Sequence, residues 1–263
     1  MNAAGWWGRL RGLLEGGLGA ADDGCLWCGG VRRGGGAATR LRRICGACAA
    51  EVPWIEQVQC AACGRGEPCP DCVRRETSFI VANRSAVQYT PFMKEWLARY
   101  KYRGSEKLAP MFGEMASYAY GKLRETWGDV ARGVTVRTIL TFVPLSERRL
   151  EERGFNQAET MARYVASRYR VPVVPVLVRT RHTEKQSYKS RRERLESLER
   201  AFALREDGAL ELQRLLAEGP LRVVVVDDVY TTGSTMQRCG EAIASAAADG
   251  AGALRVYGLT WAR

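Results

Sequence analysis

Two groups of residues in this chain of 263 amino acids have types and spacings suited to chemistry. The first is the run Val223-Val224-Val225-Val226-Asp227-Asp228-Val229-Tyr230-Thr231-Thr232-Gly233-Ser234-Thr235. Four consecutive valines fit a strand covered on both faces, as in a parallel sheet. From Thr235 onward, Met236, Ile243, Ala244 and Ala247 have the spacing of a helix packing back onto that strand. Asp227 and Asp228 therefore stand at the carboxyl end of a strand, where open α/β sheets bind ligands. The segment Thr231 to Thr235 offers hydroxyl and backbone donors at a helix start. Gly233 there tolerates positive φ and close backbone approach, so the loop suits a phosphate group. The two acids are then placed to accept hydrogen bonds from ribose hydroxyls. Turn and N-cap preferences account for each Asp, Thr or Ser singly, but not for the whole run. Gly-x-x-x-x-Gly-Lys-Ser/Thr and a strand-following Gly-x-Gly-x-x-Gly are both absent.

A second anion-facing loop is expected after another strand, at Val143-Pro144-Leu145-Ser146. A strained or cis peptide there would present N–H groups to anionic oxygens such as those of a pyrophosphate, and a plain turn is the alternative. Arg148, Arg149 and Arg153 follow and would supply charge-assisted contacts to the same oxygens. Asn156 reads as the N-cap of the next helix.

The second group is cysteine. Eight of nine lie in Cys-x-x-Cys pairs: Cys25 and Cys28, Cys45 and Cys48, Cys60 and Cys63, Cys69 and Cys72. Such pairs suit tetrahedral thiolate coordination of zinc better than a disulfide framework. The preferred arrangement is two structural ions, one for Cys25 to Cys48 and one for Cys60 to Cys72, with Gly64 and Gly66 turning the short second loop. Cross-braced pairing is the alternative that spacing leaves open. Redox-active Cys-x-x-Cys motifs occur singly, after a strand and at a helix start, so four tandem pairs fit metal. Cys239, alone in the helix after the phosphate loop, reads as core.

These sites need elements to position them. Residues 1 to 24 read as a short amphipathic helix, 25 to 75 as metal-organised loops too poor in apolar residues for a core of their own, and 76 to 263 as a larger domain. Gly34-Gly35-Gly36 marks a flexible basic excursion between the first two cysteine pairs. In the larger domain, strands are expected over Phe79 to Tyr89, Thr138 to Val143, Val171 to Val178, Val223 onward and Ala253 to Trp261. Helices are expected over Pro91 to Tyr100, Leu108 to Trp127, Asn156 to Tyr169, Ser190 to Phe202 and Ala209 to Ala217. Such alternation argues for an α/β fold with a parallel sheet flanked by helices. The formal charge of +11 favours anionic partners in general. Between Arg179 and Arg194 seven Lys or Arg face two Glu, and this stretch also holds the single histidine, His182, read as an exposed loop residue. No apolar stretch reaches membrane-spanning length and no uninterrupted signal core opens the chain, so a reduced, cytoplasmic protein is expected.

The Asp227 to Thr235 loop resembles the phosphoribosyl pyrophosphate signature of type I phosphoribosyltransferases. Together with the eight cysteines, Tyr100-Lys101-Tyr102-Arg103-Gly104, the Pro144 to Gln157 segment and Gln186 to Arg194 with Ala201-Phe202, most of the chain resembles the ComF family. Those competence-associated proteins join a double zinc ribbon to a phosphoribosyltransferase-like domain. The sequence departs from the family pattern at Asp22-Asp23-Gly24, where a proline is usual, and at Ser105, where an acid is often found. The resemblance implies a type I phosphoribosyltransferase fold and binding of phosphoribosyl pyrophosphate with Mg2+. It also implies a link to uptake of single-stranded DNA and to competence proteins. The 5-phosphate would lie in Thr231, Thr232, Gly233, Ser234 and Thr235, and pyrophosphate by Leu145, Ser146 and Arg148. Asp227, Asp228 and Arg153 would act on the sugar and leaving group, under a cover formed by Arg179 to Arg194. A fold alone does not fix an activity: transfer to an acceptor, and a non-catalytic DNA or helicase adaptor that senses the sugar phosphate, are the two functions it allows.

Overall fold

The computed structural model describes residues 24–30, 40–73, 75, 77–102, 105–127, 135–180, 201–247 and 254–263. Its centre is a four-stranded, wholly parallel sheet in the order β1-β6-β5-β2. The strands are β1 (Asn83–Val87), β2 (Arg137–Phe142), β5 (Leu221–Val229) and β6 (Leu254–Ala262). The valine run is the interior of β5, and Val223 to Val226 are buried, as expected for a strand covered on both faces. The α/β class and parallel sheet read from the sequence are therefore present.

Alternation along β5 divides the core in two. Val224 and Val226 pack with α3 (Pro91–Lys101), α4 (Ala109–Glu125) and α6 (Gln157–Tyr169). That side is rich in rings: Phe112 stacks between Tyr100 at 4.1 Å and Trp261 at 4.6 Å. Burial of each such ring contributes about 2–3 kcal/mol, and the stack fixes the end of α3, the helix that carries Lys101. Val223 and Val225 face α7 (Glu206–Ala217) and α8 (Ser234–Ala244), through Leu212, Leu215, Met236 and Ile243. Cys239 is fully buried in this second core, as the sequence implied. A separate antiparallel pair, β3 (Leu177–Arg179) with β4 (Phe202–Leu204), lies against α8.

The cysteine-rich segment covers the open edge of the sheet. All five β1 residues are buried, Asn83, Arg84 and Ser85 included, because backbone of the segment bonds along the strand. Ile55 N donates to Ala86 O and Asn83 N to Ala62 O, while the Asn83 amide donates to Cys63 O. Covering an edge in this way removes a free ladder of N–H and C=O groups. Gly64, at φ +77°, is needed for the approach, since a Cβ there would lie 2.6 Å from Asn83 O. Two short helices, α1 (Gly46–Ala50) and α2 (Pro70–Val73), complete the segment.

Several boundaries differ from the sequence reading. The first strand is confined to Asn83–Val87; ahead of it Phe79 N donates to the Gln237 side chain and Val81 N to Val256 O. Phe202–Leu204 is strand rather than the end of a helix, since it pairs with β3. Of Val171 to Val178, Val173 bridges Leu140 and only Leu177 onward is strand, paired with β4. The stretch after Ser146, read as loop, forms α5 (Glu147–Arg153), capped by the Ser146 hydroxyl and closed by Gly154 at φ +80°. Val143 to Ser146 contains no cis peptide and no residue at positive φ. The proposed N-terminal helix, the Gly34-Gly35-Gly36 excursion, Arg103-Gly104, His182 and the stretch 181–200 lie outside the described residues.

Candidate functional site

The β5 strand delivers Asp227 and Asp228 to the carboxyl edge of the sheet, and alternation turns them to opposite faces. Asp228 meets the end of α3: its Oδ2 lies 2.6 Å from Lys101 Nζ. Asp227 lies on the α8 side and accepts a hydrogen bond from Asp228 N at 2.8 Å. Burial, followed by the neighbouring Asp228 charge, pushes the Asp227 carboxyl up to about 8, with Lys101 and Arg179 opposing.

After Val229 the chain turns through Tyr230 to Gly233 into α8. Gly233 has φ +81°, and a Cβ at that position would lie 2.2 Å from the Tyr230 hydroxyl, so both backbone shape and space require glycine. The Thr232 and Ser234 hydroxyls are 2.9 Å apart, and Ser234 N donates to Thr232 Oγ1. Thr231, Thr232, Ser234 and Thr235 are exposed. Gly233, as N-cap, supplies no side chain to the first turn of the 11-residue α8, and that end carries the partial positive charge of the helix. Asp227, Val229, Tyr230, Thr231, Gly233, Thr235 and Met236 line one concavity.

The β2 end reaches the same level, since Val143 N donates to Val226 O. Leu145 and Ser146 follow it and are half-buried. Ser146 spends its hydroxyl on the Arg149 N–H as the cap of α5. Asn156, the expected cap of α6, accepts from Ala158 and Glu159 N–H and ties that helix to β2 by donating to Val143 O at 3.0 Å. Arg153 donates to Gln157 Oε1 at 2.9 Å; burial pulls its guanidinium below the ordinary value and the charge of Asp228 opposes that. Arg148 is different. Its side chain is 88% exposed and held by Glu152, four residues on.

Lys101 was not assigned to the site from sequence, and Arg179 only as the first residue of its expected cover. Lys101 belongs to the Tyr-Lys-Tyr-Arg-Gly run, whose resemblance gave it no role. Arg179, on β3, is pulled below its ordinary value by burial and by Arg149, with the charge of Asp227 opposing. Lys101, Arg153 and Arg179 thus act on the two acids, with Arg149 near Arg153 and Arg179, and the excess of cations over carboxylates suits a ligand with several anionic oxygens.

The cysteines form two clusters, Cys25, Cys28, Cys45 and Cys48, then Cys60, Cys63, Cys69 and Cys72, each with its Sγ atoms within 4.8 Å of one another. Tetrahedral zinc–thiolate bonds of about 2.3 Å place sulfurs about 3.8 Å apart, and Cys28 Sγ lies 3.8 Å from Cys45 Sγ. The donor set and spacing fit a structural zinc ion in each cluster, paired within quartets rather than cross-braced, and all eight thiols are free of disulfides.

No family model matches the chain. It is 30% identical over 203 residues to the competence protein ComFC of Bacillus subtilis strain 168, covering 74% of this chain and 75% of that protein. The chain belongs to the ComF family. Its two four-cysteine clusters fit the double zinc ribbon of that family. ComFC of Streptococcus pneumoniae is 27% identical over 78% of this chain and 83% of its own length. The DNA utilization protein YhgH of Escherichia coli K12 is 26% identical over 81% and 88% respectively. Among the described residues, no helix of this ComF-family protein is long and apolar enough to cross a membrane.

Proposed function

We propose that this protein acts in the uptake and use of DNA, as its relatives' names indicate for them, and that its phosphoribosyltransferase-like domain binds phosphoribosyl pyrophosphate with Mg2+. The observation that carries the sugar-phosphate reading is the pairing of Gly233, at φ +81° before α8, with Asp227 and Asp228 at the end of the same strand. The 5-phosphate takes the Thr231 to Thr235 loop and the ribose hydroxyls take the aspartates. Pyrophosphate lies toward Leu145 and Ser146, with Lys101, Arg149, Arg153 and Arg179 balancing its charge. Arg148 sits at the edge of that arrangement, its side chain in solvent. Few protein carboxylates with several phosphate oxygens is the ligand set Mg2+ prefers, and the ion supplies neutralisation of the diphosphate when bound.

Transfer to an acceptor would break the anomeric C–O bond, with positive charge growing on the sugar and negative charge on the departing diphosphate. The chain's contribution to that step is electrostatic. Arg153 and its neighbours hold the leaving oxygens and the aspartates face the sugar, so no protein nucleophile is needed. An adaptor that senses the sugar phosphate and contacts single-stranded DNA uses the same site without turnover, and the charge of +11 favours that partner too.

Calorimetric titration with phosphoribosyl pyrophosphate and Mg2+, then with oligonucleotides at two salt concentrations, tests the reading. Saturable, Mg2+-dependent sugar-phosphate binding is expected, and its absence rejects the assignment. Oligonucleotide affinity that falls steeply with salt, without release of pyrophosphate in the presence of bases, identifies the adaptor.

A further inference from the structure

The second cysteine cluster and the phosphate loop share two arginines. Arg263 donates from Nη1 to the carbonyls of Tyr230, at 3.1 Å, and Thr231, and from Nη2 to Cys69 Sγ at 3.7 Å. Its guanidinium also lies 4.7 Å from the centre of the Tyr230 ring. Arg75, three residues after Cys72, donates to Thr232 O at 2.9 Å and to the Tyr230 hydroxyl at 3.2 Å. Three successive loop carbonyls are thereby drawn to the cysteine side. In a trans peptide the N–H points opposite to the C=O, so the N–H groups of Thr231, Thr232 and Gly233 are turned the other way, as a phosphate cradle requires.

Four thiolates around Zn2+ carry a net charge of about −2, which two adjacent guanidinium groups offset. The first cluster has a different neighbourhood: Trp27 between its cysteines lies 4.8 Å from Trp96, and Arg99 donates to Trp27 O, on the α3 side of the sheet. We propose that Arg75 and Arg263 are positioning residues through which metal occupancy of the Cys60, Cys63, Cys69 and Cys72 cluster sets the shape of the phosphate loop, while occupancy of the other cluster does not. The proposal rests on the reading of Thr231 to Thr235 as a phosphate cradle. Metal at the second cluster fixes the cysteine loops, these hold the two guanidinium groups, and these hold the carbonyls.

The test uses the full zinc-loaded chain and four variants: Arg263→Met, Arg75→Met, Cys72→Ser and Cys28→Ser. Zinc content, ligand-free hydrogen exchange of residues 230 to 235 and affinity for ribose 5-phosphate are measured for each. Both arginine variants should keep two zinc ions, exchange about tenfold faster in the loop and bind about tenfold more weakly. Cys72→Ser should retain one zinc and show the same loop change; Cys28→Ser should retain one zinc and leave the loop as in the parent. Unchanged loop exchange in both arginine variants overturns the proposal, as does an equal change in Cys28→Ser. If Cys72→Ser does not fold, stepwise chelation of the folded parent replaces it: loop exchange should rise as the second cluster loses zinc, and unchanged exchange overturns the proposal. A parent chain that binds no ribose 5-phosphate rejects the phosphoribosyl reading instead, and the exchange measurements still decide the coupling.

Discussion

Lys101 and Asp228, far apart in sequence, form an ion pair of 2.6 Å at the end of β5, with side chains 29% and 20% exposed. A pair so placed costs desolvation that its attraction must offset, and it orients Asp228 where a sugar would dock. Because Lys101 lies on the side from which Arg153 also approaches, it should contribute to a diphosphate more than to a lone monoester. Lys101→Met should weaken phosphoribosyl pyrophosphate binding about tenfold and change ribose 5-phosphate binding little. Parallel titrations of the two ligands check this; equal losses for both would assign Lys101 to the aspartate alone.

Gly233→Ala combines a strained backbone with a collision against the Tyr230 hydroxyl. It should destabilise the fold by about 1–2 kcal/mol and abolish sugar-phosphate binding with zinc content unchanged. Thermal unfolding and calorimetry on one sample read both effects. Wild-type affinity in a folded variant would remove the loop from the site.

The carboxyl of Asp227, raised to about 8 chiefly by burial, gives binding a pH dependence of defined sign. Unfolded aspartate titrates near 3.9, so the folded chain holds a proton that the unfolded chain releases. The stability contribution of this group is full below about pH 4 and is lost as pH rises to about 8. A cation-bearing ligand favours the carboxylate, so binding below pH 8 expels the proton and affinity rises with pH, by up to about tenfold per unit. Titration in buffers of different ionisation enthalpy should show proton release at pH 7, and Asp227→Asn should remove the part due to this group. Identical release in the variant would mean that another group supplies it.

Zinc content separates the clusters. The purified chain should carry two zinc ions, and Cys45→Ser one, with loosening centred on residues 24 to 50 rather than on the sheet. Metal analysis with limited proteolysis measures this; retention of both ions would exclude Cys45 as a ligand.

What was legible in the sequence followed local rules. Val223 to Val226 announced a strand covered on both faces because burial there needs no partner of particular sequence, and Asn156 and Gly233 announced a cap and a turn through their own chemistry. The cysteine quartets were legible from spacing, although only the folded chain distinguishes pairing within quartets from cross-bracing. The helix Glu147–Arg153 was missed although Ser146 and Gly154 were its cap and stop signals; three arginines in the segment suggested a ligand loop instead. Phe202 was misjudged as a helix end because its state is set by pairing with Arg179. Lys101, Arg75 and Arg263 were beyond local reading altogether, since each acquires its role from groups distant in sequence.

The central claim is that the Thr231 to Thr235 loop beside Asp227 and Asp228 receives an activated pentose phosphate. A crystal of the zinc-loaded protein soaked with phosphoribosyl pyrophosphate and Mg2+ tests it most directly. The account predicts phosphate density within hydrogen-bonding distance of the N–H groups of that loop and ribose hydroxyls at the aspartates. Density elsewhere, or none at saturating ligand with Asp228 still on Lys101, would contradict it.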